Sequence, residues 1–542
     1  MPDSPPQHPR CSEPFLVGCG AASSDAKPTP GGLGFKAYNL WRMDRVGLPV
    51  PPAFVLGTDH CRHYLAHRAA PAGTRDLLAA QIHELERSTG LVFGSVRRPL
   101  CVSVRSGAAI SMPGMMETIL NVGLNGATVR GLLRLTGNPR LAWDSYRRLV
   151  QSFAEVVHHC PAERFARLQA GRVSEARVDS VRELDFQSLK ALTEDFLELF
   201  EDYTGAPFPQ NPFDQLEAAV ASIWESWTGA KAAAYRKLNG VADDLGTAVT
   251  VQRMVYGNGG GTSGAGVAFT RDPASGEARL YLDFIVNAQG EDVVSGRHGA
   301  SDGARIEAIL PALKEELEQV AFQLEREFRD MQEYEFTVQD GRLFVLQTRT
   351  GKRSPWAELK VALDQADEGL IDKATAVGRL AHVDAERLGR ARLVSSGGAR
   401  VLCSAVVANI GVAVGEIAFD PAKAVRSAQG GKRVILVRGS PATEDIAGIA
   451  AAAGILTATG GRTSHAAVVA RQLDKVCLVG CEALEVDEKA GSCTIAGETF
   501  REGDMLSLDG HAGNVIAGEV QVEIERPEAD LARLEQWRRE LS

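Results

Sequence analysis

Two short stretches of the chain hold residue types whose spacing suits chemistry. The first is Thr457-Ala-Thr-Gly-Gly-Arg-Thr-Ser-His-Ala-Ala-Val-Val-Ala-Arg471. Its Gly460-Gly461 pair ends the preceding strand, Thr463 or Ser464 offers an N-cap, and the Ala/Val run reads as a buried helix. His465 then falls in the first helical turn, beside free backbone N–H groups and the positive end of the helix dipole. An anion carried on its ring nitrogen would be stabilised there, which suits a phosphohistidine. On the helix alone, the ordinary reading is a satisfied structural histidine.

The second stretch is a pair of strands. In Met331-Gln-Glu-Tyr-Glu-Phe-Thr337 the acids Glu333 and Glu335 alternate by two, so both carboxylates project from one strand face. Across a turn at Asp340-Gly341, the strand Leu343-Phe-Val-Leu-Gln-Thr-Arg349 brings Gln347 and Arg349 close to them by the same alternation. Acids and an arginine on one sheet face could simply pair with each other. Equally, hard oxygen ligands beside a guanidinium are what a Mg²⁺–nucleotide complex needs.

Other residues carry weaker signals. Lys36 opens a helical pattern after the glycines of Gly31-Gly-Leu-Gly34 and could reach a phosphate, although a solvated lysine is ordinary. Arg105 ends the strand Cys101-Val-Ser-Val-Arg105 at a small-residue turn and could fork onto phosphate oxygens; the alternative is a surface ion pair. Arg147 and Arg148 stand out in a helical region from about 129 to 235 that otherwise reads as scaffold. The glycine-rich 257–266 segment reads as a flexible hairpin loop whose N–H groups could fold over a polyphosphate.

The elements that must position these residues are read as α/β and α+β, multidomain. At 542 residues there is room for roughly three or four domains. A balance of 59 basic against 69 acidic residues, net −10, argues against a general nucleic-acid binder. Nine scattered cysteines, an odd number without paired metal-ligand spacing, read as reduced thiols in a cytoplasmic protein. No signal peptide or membrane span is expected, and residues 1–30 read as a disordered tail. Residues 352–399 read as a helical linker ending in a glycine joint, 400–524 as a compact αβ domain, and 525–542 as an amphipathic helix with Leu531, Leu534, Trp537 and Leu541 on one side.

The His465 stretch resembles, almost letter for letter, the phosphohistidine signature of the phosphoenolpyruvate-utilising enzymes. Ser103-Val-Arg-Ser-Gly107, Ser111-Met-Pro-Gly-Met-Met-Glu117, Asp144-Ser-Tyr-Arg-Arg148, Gly266-Val-Ala-Phe-Thr-Arg-Asp-Pro273, Asn287-Ala-Gln-Gly-Glu-Asp-Val-Val294 and Leu346-Gln-Thr-Arg-Thr-Gly-Lys-Arg353 extend the likeness, in order, to the pyruvate, phosphate dikinase family. That resemblance implies an ATP-grasp nucleotide-binding region (31–246 with its helical subdomain, then 247–351) followed by a swivelling phosphohistidine domain.

Carried over position by position, the resemblance implies that Lys36 and Arg105 bind nucleotide phosphates. It makes Glu335 and Gln347 metal or nucleotide contacts, and Arg349 a stabiliser of phosphate charge. Glu333, Asp283 and Arg148 align with ATP-site positions, and Thr463 with a regulatory phosphorylation site of plant members. The implied activity is an ATP-dependent phosphotransferase that loads His465 from Mg–ATP and yields AMP; in the family phosphate can accept the terminal phosphoryl group as pyrophosphate, and the sequence leaves phosphate and water open as the acceptor here. Two departures stand out: the family's Gly-Gly-Lys-Gly becomes Gly34-Phe-Lys-Ala37, and its C-terminal barrel for pyruvate and phosphoenolpyruvate has no counterpart in this sequence. The expectation is therefore an acceptor, pyruvate first, on a separate protein, with a homodimer possible and with contacts to neither membrane nor nucleic acid. The alternative is a non-catalytic nucleotide-binding regulator that docks on a full dikinase through its tail helix.

Overall fold

The computed structural model describes residues 11–20, 27–110, 112, 117–294, 311–386, 388–395, 398–440, 445–462, 464–488 and 490–541. The chain divides into two compact units, Met1–Val255 with Phe344–Gln347, and Tyr256–Leu343 with Thr348–Ser542.

The first unit is built on an antiparallel sheet in the order Phe15–Val17, Ala53–Leu56, Thr247–Arg253, Val102–Ala108, Thr118–Val122. The strand Phe15–Val17 lies inside the tail expected to be disordered. Phe15 and Val17 are buried, and three apolar residues among prolines and polar residues are too short a signal to stand out. Helix Pro30–Arg45 follows, capped by Thr29 and broken at Gly34, where φ is 72°. Gly34 cannot be replaced freely: a Cβ there would stand 1.9 Å from the Gly107 carbonyl oxygen, so helix and strand meet backbone to backbone.

The helical region is present, and three of its helices start at a capping residue. Asn138, Asp185 and Asn211 accept first-turn N–H groups of Pro139–His158, Phe186–Thr204 and Pro212–Ser226, two of which carry proline in the first turn. Tyr146, Phe153, Phe196 and Phe200 are buried there, each contributing about 1.5–3 kcal/mol relative to exposure.

In the second unit a four-stranded sheet runs in the order Arg342–Thr350, Gln332–Gln339, Gly264–Phe269, Tyr281–Val286, backed by helix Pro311–Phe328. The 257–266 segment is not a hairpin, because the strands on its two sides belong to different sheets. It is also tied down: Asn258 accepts from Gln289 (3.0 Å), Thr262 O from Gly341 N (2.9 Å) and Ser263 Oγ from Asp340 N (3.0 Å).

Helices Pro355–Asp367 and Lys373–Arg379 pack with Glu528–Leu541 into one apolar cluster that includes Leu359, Leu363, Leu380, Leu531, Leu534 and Trp537. Leu531, Leu534 and Trp537 of the tail helix are therefore covered from within and only Leu541 of its apolar side stays exposed, which takes away most of the docking surface the regulator reading required. A ribbon of Arg390–Ser395 against Gln521–Glu525 leads into an eight-stranded sheet. There helix His465–Gln472 connects the parallel strands Gly454–Thr457 and Val476–Val479, burying Ala466, Ala467 and Ala470. Among the described residues no helix is long and apolar enough to cross a membrane.

Candidate functional site

In the first unit the strand Val102–Ala108 carries Arg105 opposite Thr250. The Arg105 guanidinium donates to Gln252 Oε1 at 3.4 Å and to Gln347 Oε1 at 3.3 Å. Both bonds are long for N–H···O contacts. Lys36 sits past the Gly34 break, and its Cβ lies 3.9 Å from where a Cβ at Gly107 would stand. Residues 105 and 107 share a strand face, so Lys36 and Arg105 attend the same strand end.

Arg148 is placed otherwise. It donates to Asp144 Oδ2 at 2.9 Å, while Arg147 donates to Oδ1 at 2.8 Å, and Asp144 is buried. Burial alone would raise the Asp144 carboxyl, but the Arg148 and Arg147 guanidiniums outweigh it and hold it well below the usual carboxylate range. The pair of arginines flagged from sequence thus brackets one interior carboxylate.

In the second unit the expected acid face forms. Gln332–Gln339 pairs with Gly264–Phe269 so that Glu333 faces Phe269 and Glu335 faces Val267; the next strand sets Tyr281 against Phe269 and Asp283 against Val267. Residues opposite one another share a sheet face, so Glu333, Glu335 and Asp283 share theirs. Arg349 Nη2 donates to Glu333 Oε1 at 2.5 Å. Burial disfavours the Arg349 charge, yet Glu333 first and Glu335 after it outweigh burial and push its pKa up.

Glu333 is 4% exposed, and among the described residues its Oε2 has no hydrogen-bond partner. A buried carboxylate oxygen without a donor costs about 1–3 kcal/mol or more, which marks a place where a ligand can supply the missing partner. Carboxylate oxygens on one face, one of them unspent, fit a hard cation such as Mg²⁺.

His465 is the first residue of helix His465–Gln472, as the sequence predicts, with Ser464 at the N-cap. Ser464 makes no side-chain capping bond, however, and its buried Oγ is without a partner among the described residues. The first turn therefore keeps N–H donors that the hydroxyl does not take up. Thr463, the His465 side chain and most of Ser111–Glu117 lie outside the described residues.

Sequence reasoning missed how the His465 domain is seated. The Tyr281 hydroxyl donates to Val407 O at 3.2 Å. Arg462 stacks 5.1 Å from the Tyr281 ring centroid, and Arg471 lies 5.3 Å from Phe269 and 5.9 Å from Tyr281. Arg471, fully buried, also donates to Ala408 O and, at 2.8 Å, to Arg462 O, tying the end of its helix to the turn before it. One row of the sheet thus runs from Arg349 and Glu333 through Phe269 to the tyrosine on which the His465 domain rests. The signal was present in the two arginines flanking His465, but their partners lie far away in sequence.

An acid-faced sheet is thus joined to a domain in which a histidine begins a buried helix, and each of these parts lies in a stretch that matches a known family or its relatives. Residues 75–308 match the family described as "Pyruvate phosphate dikinase, AMP/ATP-binding domain", and residues 430–513 match "PEP-utilising enzyme, mobile domain". The chain is 40% identical over 536 residues to a pyruvate, phosphate dikinase of Rhizobium meliloti (strain 1021), covering 96% of this chain and 60% of that protein. It is 41% identical over 509 residues to that of Clostridium symbiosum (93% and 58%), and 42% over 507 residues to pyruvate, phosphate dikinase 2 of Oryza sativa subsp. japonica (93% and 57%). The chain is similar to pyruvate, phosphate dikinases over nearly all of its own length, and it spans less than two-thirds of the length of these relatives.

Proposed function

We propose that the chain is an ATP-dependent phosphotransferase of the pyruvate, phosphate dikinase type whose phosphoryl carrier is His465. The observation that carries the reading is the Arg349–Glu333 pair with its unspent interior oxygen, on a sheet row that leads to the seat of the His465 domain. A nitrogen of His465 attacks the β-phosphorus of ATP and AMP leaves; phosphate or water then takes the γ-phosphoryl group, giving pyrophosphate in the first case. Neutral imidazole is a competent nucleophile near pH 7.

Lys36 and Arg105 bind nucleotide phosphates, and Arg349 offsets charge that grows on the transferred group. Glu335 would hold Mg²⁺ on the face it shares with Glu333 and Asp283, and Gln347 is the second proposed ligand. When bound, that ion neutralises phosphate charge. Arg148 fixes the interior carboxylate of its helix and through it the helix's position, and Thr463 is the proposed regulatory site.

The domain reading accompanies this: 31–246 and 247–351 bind the nucleotide, 352–399 is the connection, 400–524 carries His465, and 525–542 braces the connection. The second half-reaction passes the group to pyruvate bound by a partner protein. Nine cysteines, all unpaired, support a reducing, cytoplasmic setting.

The test is incubation with Mg²⁺ and ATP labelled at the β-phosphorus. Acid-labile label should appear on the wild type and be absent from His465→Ala; label that persists in the variant overturns the assignment. Mixing the labelled protein with pyruvate, with and without candidate partners, tests onward transfer.

A further inference from the structure

The domain that carries His465 contains a thiol pair that the proposed loading does not use. Cys403, on the strand Val401–Ser404, and Cys481, just beyond Val476–Val479, bring their sulfur atoms to 3.4 Å. In the eight-stranded sheet Val401–Ser404 is one edge, and Val476–Val479 lies next to the other, so this contact closes the sheet on itself. Cys403 is half-buried and can be reached from solvent, whereas Cys481 is fully buried behind it.

Cys481 is wired to the turn that precedes His465. Its N–H donates to Thr457 O at 3.0 Å, and its carbonyl accepts from Leu484 at 3.0 Å. At the neighbouring Gly480 a Cβ would stand 2.8 Å from Gly460 O, so the two backbones touch. Gly460 itself, with φ 117°, packs beneath the Ser464 hydroxyl that opens the helix.

We propose that Cys403 and Cys481 form a reversible redox pair whose disulfide restrains the turn carrying His465. The oxidant is a small-molecule disulfide such as glutathione disulfide. The Cys403 thiolate attacks it, one glutathione thiolate leaves, and a mixed disulfide forms. The Cys481 sulfur, its proton given to solvent, then attacks the Cys403 sulfur and the second glutathione leaves. Two protein thiols are oxidised, and one glutathione disulfide is reduced to two thiols.

A disulfide needs a sulfur separation of about 2.05 Å, a closure of about 1.4 Å from the present contact. Because Cys481 is held at both its N–H and its carbonyl, part of that movement must reach Thr457 and Gly460. Burial first, and then the Cys403 neighbour, push the Cys481 thiol up to about 12, so the second step is slow at neutral pH and accelerates as pH rises.

The experiment treats the full chain with glutathione disulfide at pH 8, alkylates the remaining thiols and maps the peptides. The expected result is a peptide pair joined through Cys403 and Cys481, reversed by dithiothreitol and missing in Cys403→Ser. Both cysteines recovered alkylated, or Cys481 recovered joined to its neighbour Cys493, overturns the proposal, and the wild-type map decides this even if the variant folds poorly. The effect on loading rests on His465 being the phosphoryl carrier, as proposed above. Oxidation should slow the ATP-dependent labelling of the wild type on the order of tenfold and leave Cys403→Ser unaffected. A cross-link with unchanged labelling overturns the restraint. A cross-link in a chain that never labels, even when reduced, supports the redox pair and sinks the carrier reading instead.

Discussion

The second unit contains two arginine–glutamate pairs anchored on the same four-stranded sheet, and they are built to opposite ends. Arg271, just past the strand Gly264–Phe269, gives Glu325 three bonds: Nε to Oε1 at 3.0 Å, Nε to Oε2 at 3.1 Å and Nη2 to Oε2 at 2.8 Å. Thr270 Oγ1 adds a bond to Glu325 Oε1 at 2.6 Å, and Glu368 takes a further bond from Arg271. Every oxygen of Glu325 is engaged and the Arg271 side chain is 4% exposed. Arg349 makes one bond to Glu333, is 34% exposed, and leaves the other Glu333 oxygen buried and, among the described residues, unmatched. The fully used Glu325 carboxylate fastens helix Pro311–Phe328 to its sheet, even though Arg271 Nη1 is buried without a hydrogen-bond partner among the described residues; the Glu333 carboxylate keeps acceptor capacity for a ligand. An arginine beside a glutamate does not identify a site by itself. What distinguishes the two pairs is how much of the carboxylate has been spent.

The same substitution at the two arginines should separate these roles. Arg349→Lys keeps a charge beside Glu333 but loses the planar fork, so His465 labelling should slow on the order of 10³-fold, about 4 kcal/mol in the barrier, with little change in melting temperature. If Arg349→Lys loads at the wild-type rate, Arg349 is only a surface partner of Glu333 and the contrast collapses. In Arg271→Lys the effect should move to stability. Losing bidentate bonds to a buried carboxylate should cost about 2–3 kcal/mol in urea unfolding, while labelling per folded molecule stays the same. A smaller effect is expected for Glu335→Gln, which shortens the supply of hard oxygen donors. The Mg²⁺ concentration for half-maximal labelling should rise about tenfold, and an unchanged Mg²⁺ dependence would remove Glu335 from the metal role.

Local pattern was enough for some of this and not for the rest. The alternation of Glu333 and Glu335 placed both acids on one face, and the glycine pair followed by an Ala/Val run placed His465 at the start of its helix. These features depend on neighbours within a few residues. The unspent oxygen of Glu333 was not legible, because it depends on what fails to approach it in three dimensions. Tyr281 looked like any aromatic at the start of a strand; its role comes from Val407, Arg462 and Arg471, all distant in the chain. The Thr270-Arg271 part of a motif that resembles the family turned out to be fastening rather than chemistry, since Glu325 sits on a helix the motif does not include. The tail helix read correctly as amphipathic, but only the packed structure shows that Pro355–Asp367 and Lys373–Arg379 cover its Leu531, Leu534 and Trp537 and leave Leu541 exposed.

The finest test of the contrast lies in the hydroxyl that completes the Glu325 carboxylate's partners. Thr270 Oγ1 donates to Glu325 Oε1 and accepts from Gln332 N at 3.0 Å, so it links the helix carboxylate to the strand that bears Glu333. Thr270→Val keeps the shape, removes one donor from Glu325 and strands one backbone N–H. Because Arg271 still covers both carboxylate oxygens, the loss should be confined to about 1–2 kcal/mol in urea unfolding. The strand N–H lies one residue from Glu333, so the two regions are close enough for disturbance in one to be felt in the other. If the pairs are independent, Thr270→Val and Arg349→Lys combine additively in labelling rate, with Thr270→Val contributing nothing. A labelling defect in Thr270→Val larger than its lost stability explains would mean that the Arg271–Glu325 pair also sets the position of Glu333, and the division between fastening and chemistry would have to be redrawn one strand further out.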